Sequence, residues 1–268
     1  ASDISFKLGP RINASGRLAD AALPIEMLLS DNFQDSLQAA RQLDEMNTER
    51  QKIERDIVKE AEAQVEERYK DSQGVVVFNH SWHPGVVGIV ASRLTNILKK
   101  PAIVLGAEGT IGKGSGRSIP GLDLVKALNN CSDLLSEFGG HPMAVGLSLD
   151  QANIEKFRTA FNEAVRNLIG DEVVEPTLEI DCWIQPEDIS SDLLRDLEQL
   201  QPFGQANPEP IIGVRFLELA QPPQRIGQEG KHFRFNHFNP RGERVSGIAW
   251  NLGESLPPAN TPIDLAFK

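Results

Sequence analysis

The stretch PAIVLGAEGTIGKGSGRS, residues 101–118, decides how the middle of this chain folds. Pro101 to Gly106 is a short, continuously apolar run with β-branched residues, the pattern of a buried strand. A Gly-containing turn follows, and Ile111 to Ser118 reads as a second, glycine-rich strand. Working outward, GVVVFN (Gly74 to Asn79) is another buried strand. The segment after His83-Pro84 to about Leu98 reads as a helix, Leu122 to Asn129 as a second, and Met143 to Leu149 as a strand; Asp150 opens a further helix to about Ile169. Strands alternating with helices specify an α/β domain on a largely parallel or mixed sheet.

On the N-terminal side, residues 31–69 contain neither Gly nor Pro, and Phe33, Leu37, Ala40, Leu43, Met46, Ile53, Ile57, Ala61 and Val65 recur in steps of three and four. That predicts one amphipathic helix of roughly 50 to 60 Å, at 1.5 Å per residue, capped by Ser30 or Asp31 and acting as a connector. Something upstream is expected to pack on part of its stripe. Beyond Gly170, short β-rich runs at Thr177 to Ile184, Ile211 to Leu219, His232 to Phe238 and Arg244 to Trp250 are separated by Pro, Gly and Asn turns, with one helix pattern near Asp188 to Gln199. Their spacing suggests a small OB-fold-like barrel, incomplete where a strand begins at the last residues. The expected division is 1–30, 31–70, 71–170 and 171–268. With Ala1 in place of an initiator Met, the chain reads as an excerpt of a longer protein.

The composition, 40% hydrophobic and 24% charged over 268 residues, is that of a globular chain with room for two modest cores. No apolar run approaches the roughly 18 residues of a membrane span, and no leader pattern appears. Two cysteines without metal-type spacing read as reduced thiols, which fits a cytoplasmic setting. A net charge of −11 argues against non-specific coating of nucleic acid. It leaves room for a local basic groove.

Four segments could carry chemistry. In FGGHPMAVGLSL (Phe138 to Leu149), Gly139 and Gly140 allow close backbone approach to a ligand and His141 can donate to a phosphate oxygen; an ordinary Gly-Gly turn is the competing reading. There Gly146 is expected to permit close packing. KGSGRS (Lys113 to Ser118) assembles hydroxyls, Gly116 and the bidentate donor Arg117 around Ser115, as a terminal phosphate would need; a solvated turn competes. GPRINASGR (Gly9 to Arg17) offers Arg11, Arg17, Asn13 and Ser15, read as a polar loop cluster. SWHPGVVGIVASR (Ser81 to Arg93) opens a helix on Pro and Gly with His83 beside free N–H groups. Trp82 and Trp183 are read as packing residues. No DHH triplet, DxD or HxD occurs, so a set of metal ligands is not expected within this chain.

Taken in this order, GPRINASGR, HPGVVGIVASR, KGSGRS and GGHPMAVGLSL resemble the C-terminal half of the RecJ-type single-strand exonucleases of the DHH phosphoesterase superfamily. The resemblance implies a DHH-associated domain after the end of an upstream DHH domain, followed by an OB domain. It implies that Gly139, Gly140 and His141 contact phosphate near the scissile bond, His141 as the catalytic group. Ser115 and Arg117, with Arg11 or Arg17, would hold the 5′ phosphate and set 5′-to-3′ polarity, and Asn13, His83 and Gly116 would join the nucleic-acid- or phosphate-binding residues. Mn²⁺ or Mg²⁺ would serve the full-length enzyme and none would be bound here. The implied partners are single-stranded DNA and a single-strand-binding protein or helicase, with no membrane. A non-catalytic single-strand-binding relative and an oligoribonuclease- or pAp-phosphatase-like phosphoesterase remain as alternatives.

Overall fold

The computed structural model describes residues 3–69, 72–170, 177–204, 206–258 and 261–268. The chain forms two compact units, Ser2–Pro176 and Thr177–Lys268.

In the first unit, a single π-helical turn (Ile4–Leu8) leads into α1 (Gly9–Leu18), and α2 (Ala22–Leu29) follows. The long helix α3 spans Phe33–Arg68. Its cap, expected at Ser30 or Asp31, is Asn32, whose Oδ1 accepts from the Gln34 N–H at 2.9 Å. Helices α1 and α2 pack on its first half. Its second half is not a free connector. Ile57, Val58, Ala61 and Val65 are buried in one core with β1 (Val75–Phe78), α4 (Pro84–Leu98) and β2 (Ala102–Glu108). Within that interface the Glu54 carboxylate accepts from Arg50 at 2.8 Å and Arg93 at 2.9 Å, so its charge is buried with two partners.

The sheet runs β1-β2-β3-β5-β4, with β3 at Ile111–Arg117, β4 at Glu137–His141 and β5 at Ala144–Asp150. Only β1 and β2 are parallel; the other pairs are antiparallel, so the sheet is mixed. Helices α5 (Leu124–Asn129) and α6 (Ile154–Ile169) cover one face, over Ile103, Leu105, Val145, Leu147 and Leu149. On the other face α4 lies over β2 and β3. At its free edge β1 is sealed by side chains: Gln64 both donates to and accepts from the Phe78 backbone, and Tyr69 and Arg158 donate to the Val76 carbonyl. These bonds satisfy groups that a further strand would otherwise take.

In the second unit, β6 (Cys182–Ile184), β7 (Ile212–Leu217) and β11 (Ile263–Phe267) form one three-stranded sheet in the order β11-β7-β6. Strands β8 (Gln224–Ile226), β9 (His232–Phe238) and β10 (Arg244–Ala249) form another, and α7 (Ser191–Glu198) lies between β6 and β7 in sequence. Among the described residues the two sheets do not close into a barrel, in keeping with the incomplete OB-fold-like barrel expected from the strand spacing. After β7, Pro222 and Pro223 supply no N–H and interrupt pairing before β8. The two sheets are instead joined where the Ala220 N–H donates to Asn236 and the Glu218 carbonyl meets His237 Nδ1.

Candidate nucleic-acid interface

Register decides which residues share a face. Ser115 pairs with Gly146 and Gly146 with Gly139; Arg117 pairs with Ala144 and Ala144 with His141. Directly paired residues point to the same side, and so do residues two apart along a strand, so both rows lie on one face. It is the face that carries α4, because a side chain on Gly88 of α4 would touch Ser115 Oγ at 3.4 Å. Helix α4 stops over β3, leaving β5 and β4 bare there. A Cβ at Gly139 or Gly146 would meet nothing within 4 Å. The expectation that Gly146 permits close packing is thus reversed: its missing side chain leaves open floor.

The two neighbouring glycines have other reasons. Gly140 has φ +144°, and a Cβ there would lie 2.3 Å from the Ala144 carbonyl oxygen, so it holds the hairpin backbone together. Gly116, expected beside the phosphate, faces the opposite way. Its Cβ would enter the core at 2.8 Å from Val145, because strand alternation gives Gly112, Gly114 and Gly116 to that core and Lys113, Ser115 and Arg117 to the open face.

The GPRINASGR segment is helical rather than a loop. Pro10 sits in the first turn of α1, where its missing N–H costs nothing, and Ala14 and Ser15 are buried. Six residues separate Arg11 from Arg17, about 240° around the helix. They therefore meet different surroundings. Arg11 is held by Asp44 at 2.7 Å and by the Lys7 carbonyl. Arg17, in the last turn with exposed Asn13 one turn before it, donates to the Gly85 carbonyl at 3.1 Å. His83, expected beside an anion, caps α4: its Nδ1 accepts from the Gly85 N–H at 3.1 Å, and that N–H is no longer free.

Arg17 and Arg117 both reach the first turns of α4, Arg17 at the Gly85 carbonyl and the Arg117 guanidinium 3.6 Å from the Cβ position of Gly88. Burial first, and the Arg17 charge second, push the Arg117 guanidinium below its usual value. Arg117 Nη1 donates to Ser115 Oγ at 2.7 Å and to the Gly116 carbonyl at 2.8 Å, while Ser115 Oγ donates to the Val145 carbonyl at 3.1 Å. Among the described residues, neither arginine has a carboxylate within ion-pairing distance. Two like charges held together without a counter-charge can receive an anion. At the far end of the bare floor His141 stands exposed on the β4 edge. No three His, Cys, Asp or Glu side chains among the described residues converge as a metal ion requires, so these residues do not fit a metal centre.

The second unit carries a different surface. Strand β9 alternates: Phe233, Phe235 and His237 point inward, His232, Arg234, Asn236 and Phe238 outward. Opposite them on β10 stand Arg244, Ser246 and Ile248. Trp250, 64% exposed, meets His232 edge to face at 4.9 Å. Alternation in HFRFNHF is the sequence signal by which this face could have been found. Trp82 is buried and donates to Glu60, as a packing residue should. Trp183 is not one: it is half exposed, lying on Gly213 with the Arg215 guanidinium 4.6 Å from its ring centre.

Residues 71–167 match the DHHA1 domain model and residues 180–268 the RecJ OB domain model. The single-stranded-DNA-specific exonuclease RecJ of Bacillus subtilis (strain 168) is 36% identical over 94% of this chain, and that of Escherichia coli (strain K12) 34% identical over all of it. The chain belongs to the RecJ family. It spans 32% of the B. subtilis RecJ and 48% of the E. coli RecJ, about a third to a half of their length. The crystal structure of RecJ in complex with Mg²⁺ from Thermus thermophilus superposes with a TM-score of 0.83, at 27% identity, over 98% of this chain and 40% of that one. A RecJ structure bound to manganese aligns with 64% of this chain at a TM-score of 0.57. No described helix is long and apolar enough to cross a membrane.

Proposed function

We propose that this chain is the strand-gripping part of a single-stranded-DNA-specific 5′-to-3′ exonuclease of the RecJ type, acting in the cytoplasm in DNA repair and recombination. One observation carries the reading: Arg17 and Arg117 meet beside Ser115, without a carboxylate, at one end of a bare, glycine-floored sheet face that ends at His141. The arginine pair with Ser115 takes the 5′-terminal phosphate, which has more charge than an internal one. Of the two arginines in GPRINASGR, Arg17 serves, because Arg11 is neutralised by Asp44. The following sugar-phosphates cross Gly139 and Gly146, and His141 contacts the phosphate next to the scissile bond. Asn13, one turn from Arg17, lines the approach. The β9–β10 face of the second unit stacks and neutralises further nucleotides. Hydrolysis belongs to Mn²⁺ or Mg²⁺ held elsewhere in the parent protein, and a single-strand-binding protein or helicase supplies the strand.

Fluorescence anisotropy of matched oligodeoxynucleotides, one with a 5′ phosphate and one with a 5′ hydroxyl, tests this. The chain should prefer the phosphorylated strand by about tenfold, an effect of charge-assisted hydrogen bonds. Arg117→Ala should abolish the preference, and affinity for both strands should fall with salt. Equal binding of the two strands by the unmodified chain would overturn the assignment.

A further inference from the structure

An arginine at the end of a three-turn helix is useful to a phosphate only if the helix end is fixed. In this chain the last turn of α1 is seated on the first turn of α4 by a contact that admits no side chain. A Cβ at Gly85 would lie 2.1 Å from the Arg17 carbonyl oxygen and 3.0 Å from its carbon, so the two backbones touch there. From the same seat Arg17 Nη1 reaches back to the Gly85 carbonyl at 3.1 Å. Leu18, the next residue, is packed against the buried α4 core. Gly85 has no positive φ, so backbone conformation does not require a glycine there. Close approach does. The neighbouring Gly88 is different, with Ser115 Oγ 3.4 Å and the Arg117 guanidinium 3.6 Å from its Cβ position.

We infer that Gly85 is a positioning residue for phosphate recognition: its missing side chain lets the α1 turn close on α4 and holds the Arg17 guanidinium opposite Arg117. The inference rests on the reading of the Arg17–Arg117 pair as a 5′-phosphate site. It assigns to the HPG segment a task apart from contact with the ligand. His83 caps the helix so that its first turn is rigid, and Gly85 makes the seat. A side chain at this position forces the α1 turn away by more than an ångström, which is enough to separate the two guanidinium groups.

The test uses the whole chain and the same pair of oligonucleotides with 5′ phosphate and 5′ hydroxyl. Gly85→Ala should reduce the phosphate preference about tenfold while leaving affinity for the hydroxyl strand within about twofold. Adding it to Arg17→Ala should produce no further loss, because both changes remove one contact. Leu18→Ala loosens the same seat without a clash and should lower the preference in the same direction by a smaller factor, which keeps the inference testable if Gly85→Ala does not fold. Full phosphate preference in Gly85→Ala, or in Leu18→Ala where Gly85→Ala does not fold, overturns it. So does a double variant whose losses multiply. If Arg117→Ala retains the preference, the phosphate site itself is wrong, and that outcome is distinct from a failure confined to Gly85.

Discussion

The open face of the five-stranded sheet and the outward face of β9–β10 solve opposite problems with opposite residues. On the first, side chains have been removed: Gly139, Gly146 and Ala144 pave a floor to which a ligand backbone can come close, with Ser115, Arg117 and His141 at its borders and the row of Lys113, Ser148 and Glu137 beyond it. On the second, side chains have been added: Trp250, Phe238 and His232 stand out from the sheet beside Arg234 and Arg244. A phosphate is small, charged and wants hydrogen-bond donors at close range. A base has a broad apolar face and wants area. On the proposed reading, the contrast teaches that depletion and enrichment of side chains can both serve a nucleic-acid surface, according to which part of the nucleotide is met.

The largest effect expected concerns the scaffold beneath the first surface. Glu54→Ala leaves Arg50 with a buried charge and should destabilise the first unit by about 3–5 kcal/mol, read as a lower urea midpoint by circular dichroism. An unchanged midpoint would mean that the α3–α4 interface does not depend on this network. Next is Trp250→Ala, which should weaken single-strand binding by about 1–3 kcal/mol, equally for 5′-phosphorylated and 5′-hydroxyl strands. Selective loss of one of them would erase the division of labour between the two faces. Gly139→Val should change stability by no more than about 0.5 kcal/mol, since its side chain meets nothing, and yet block strand binding. Gly140→Ala should do the reverse, lowering the thermal midpoint through strain. The smallest effect is chemical. Burial first, then Glu163, pushes the Cys131 thiol up to about 11, while Cys182 is exposed. Folded chain should therefore take up one equivalent of a thiol reagent at pH 8, with the second appearing only in denaturant.

Much of this was legible in sequence, and the limits have physical causes. The strands around residues 101–118 follow from β-branched runs and turn glycines, and α3 from a long stretch free of Gly and Pro. The facing of Gly116 was available from period-two alternation, since Gly112, Gly114 and Gly116 share parity and Ser115 and Arg117 do not. Helix α1 was hidden because Gly9, Pro10 and Gly16 imitate a loop, although Pro suits a first helical turn and Gly16 is exposed. The difference between the surroundings of Arg11 and Arg17 could not be read from spacing. It depends on Asp44, 33 residues away and brought in by packing of α1 on α3. His83 as a cap is local, and the adjoining Pro-Gly could have indicated it.

The Gln64 amide at the edge of β1 has a consequence for how copies of this chain can associate. Unlimited growth of a sheet from one molecule to the next needs two unsatisfied edges on every molecule. Here one of them ends in an amide that copies the hydrogen bonding of a strand without being one. Among the described residues β4 is the other edge of this sheet, and pairing of one β4 with another would terminate at two molecules instead of propagating into a fibre.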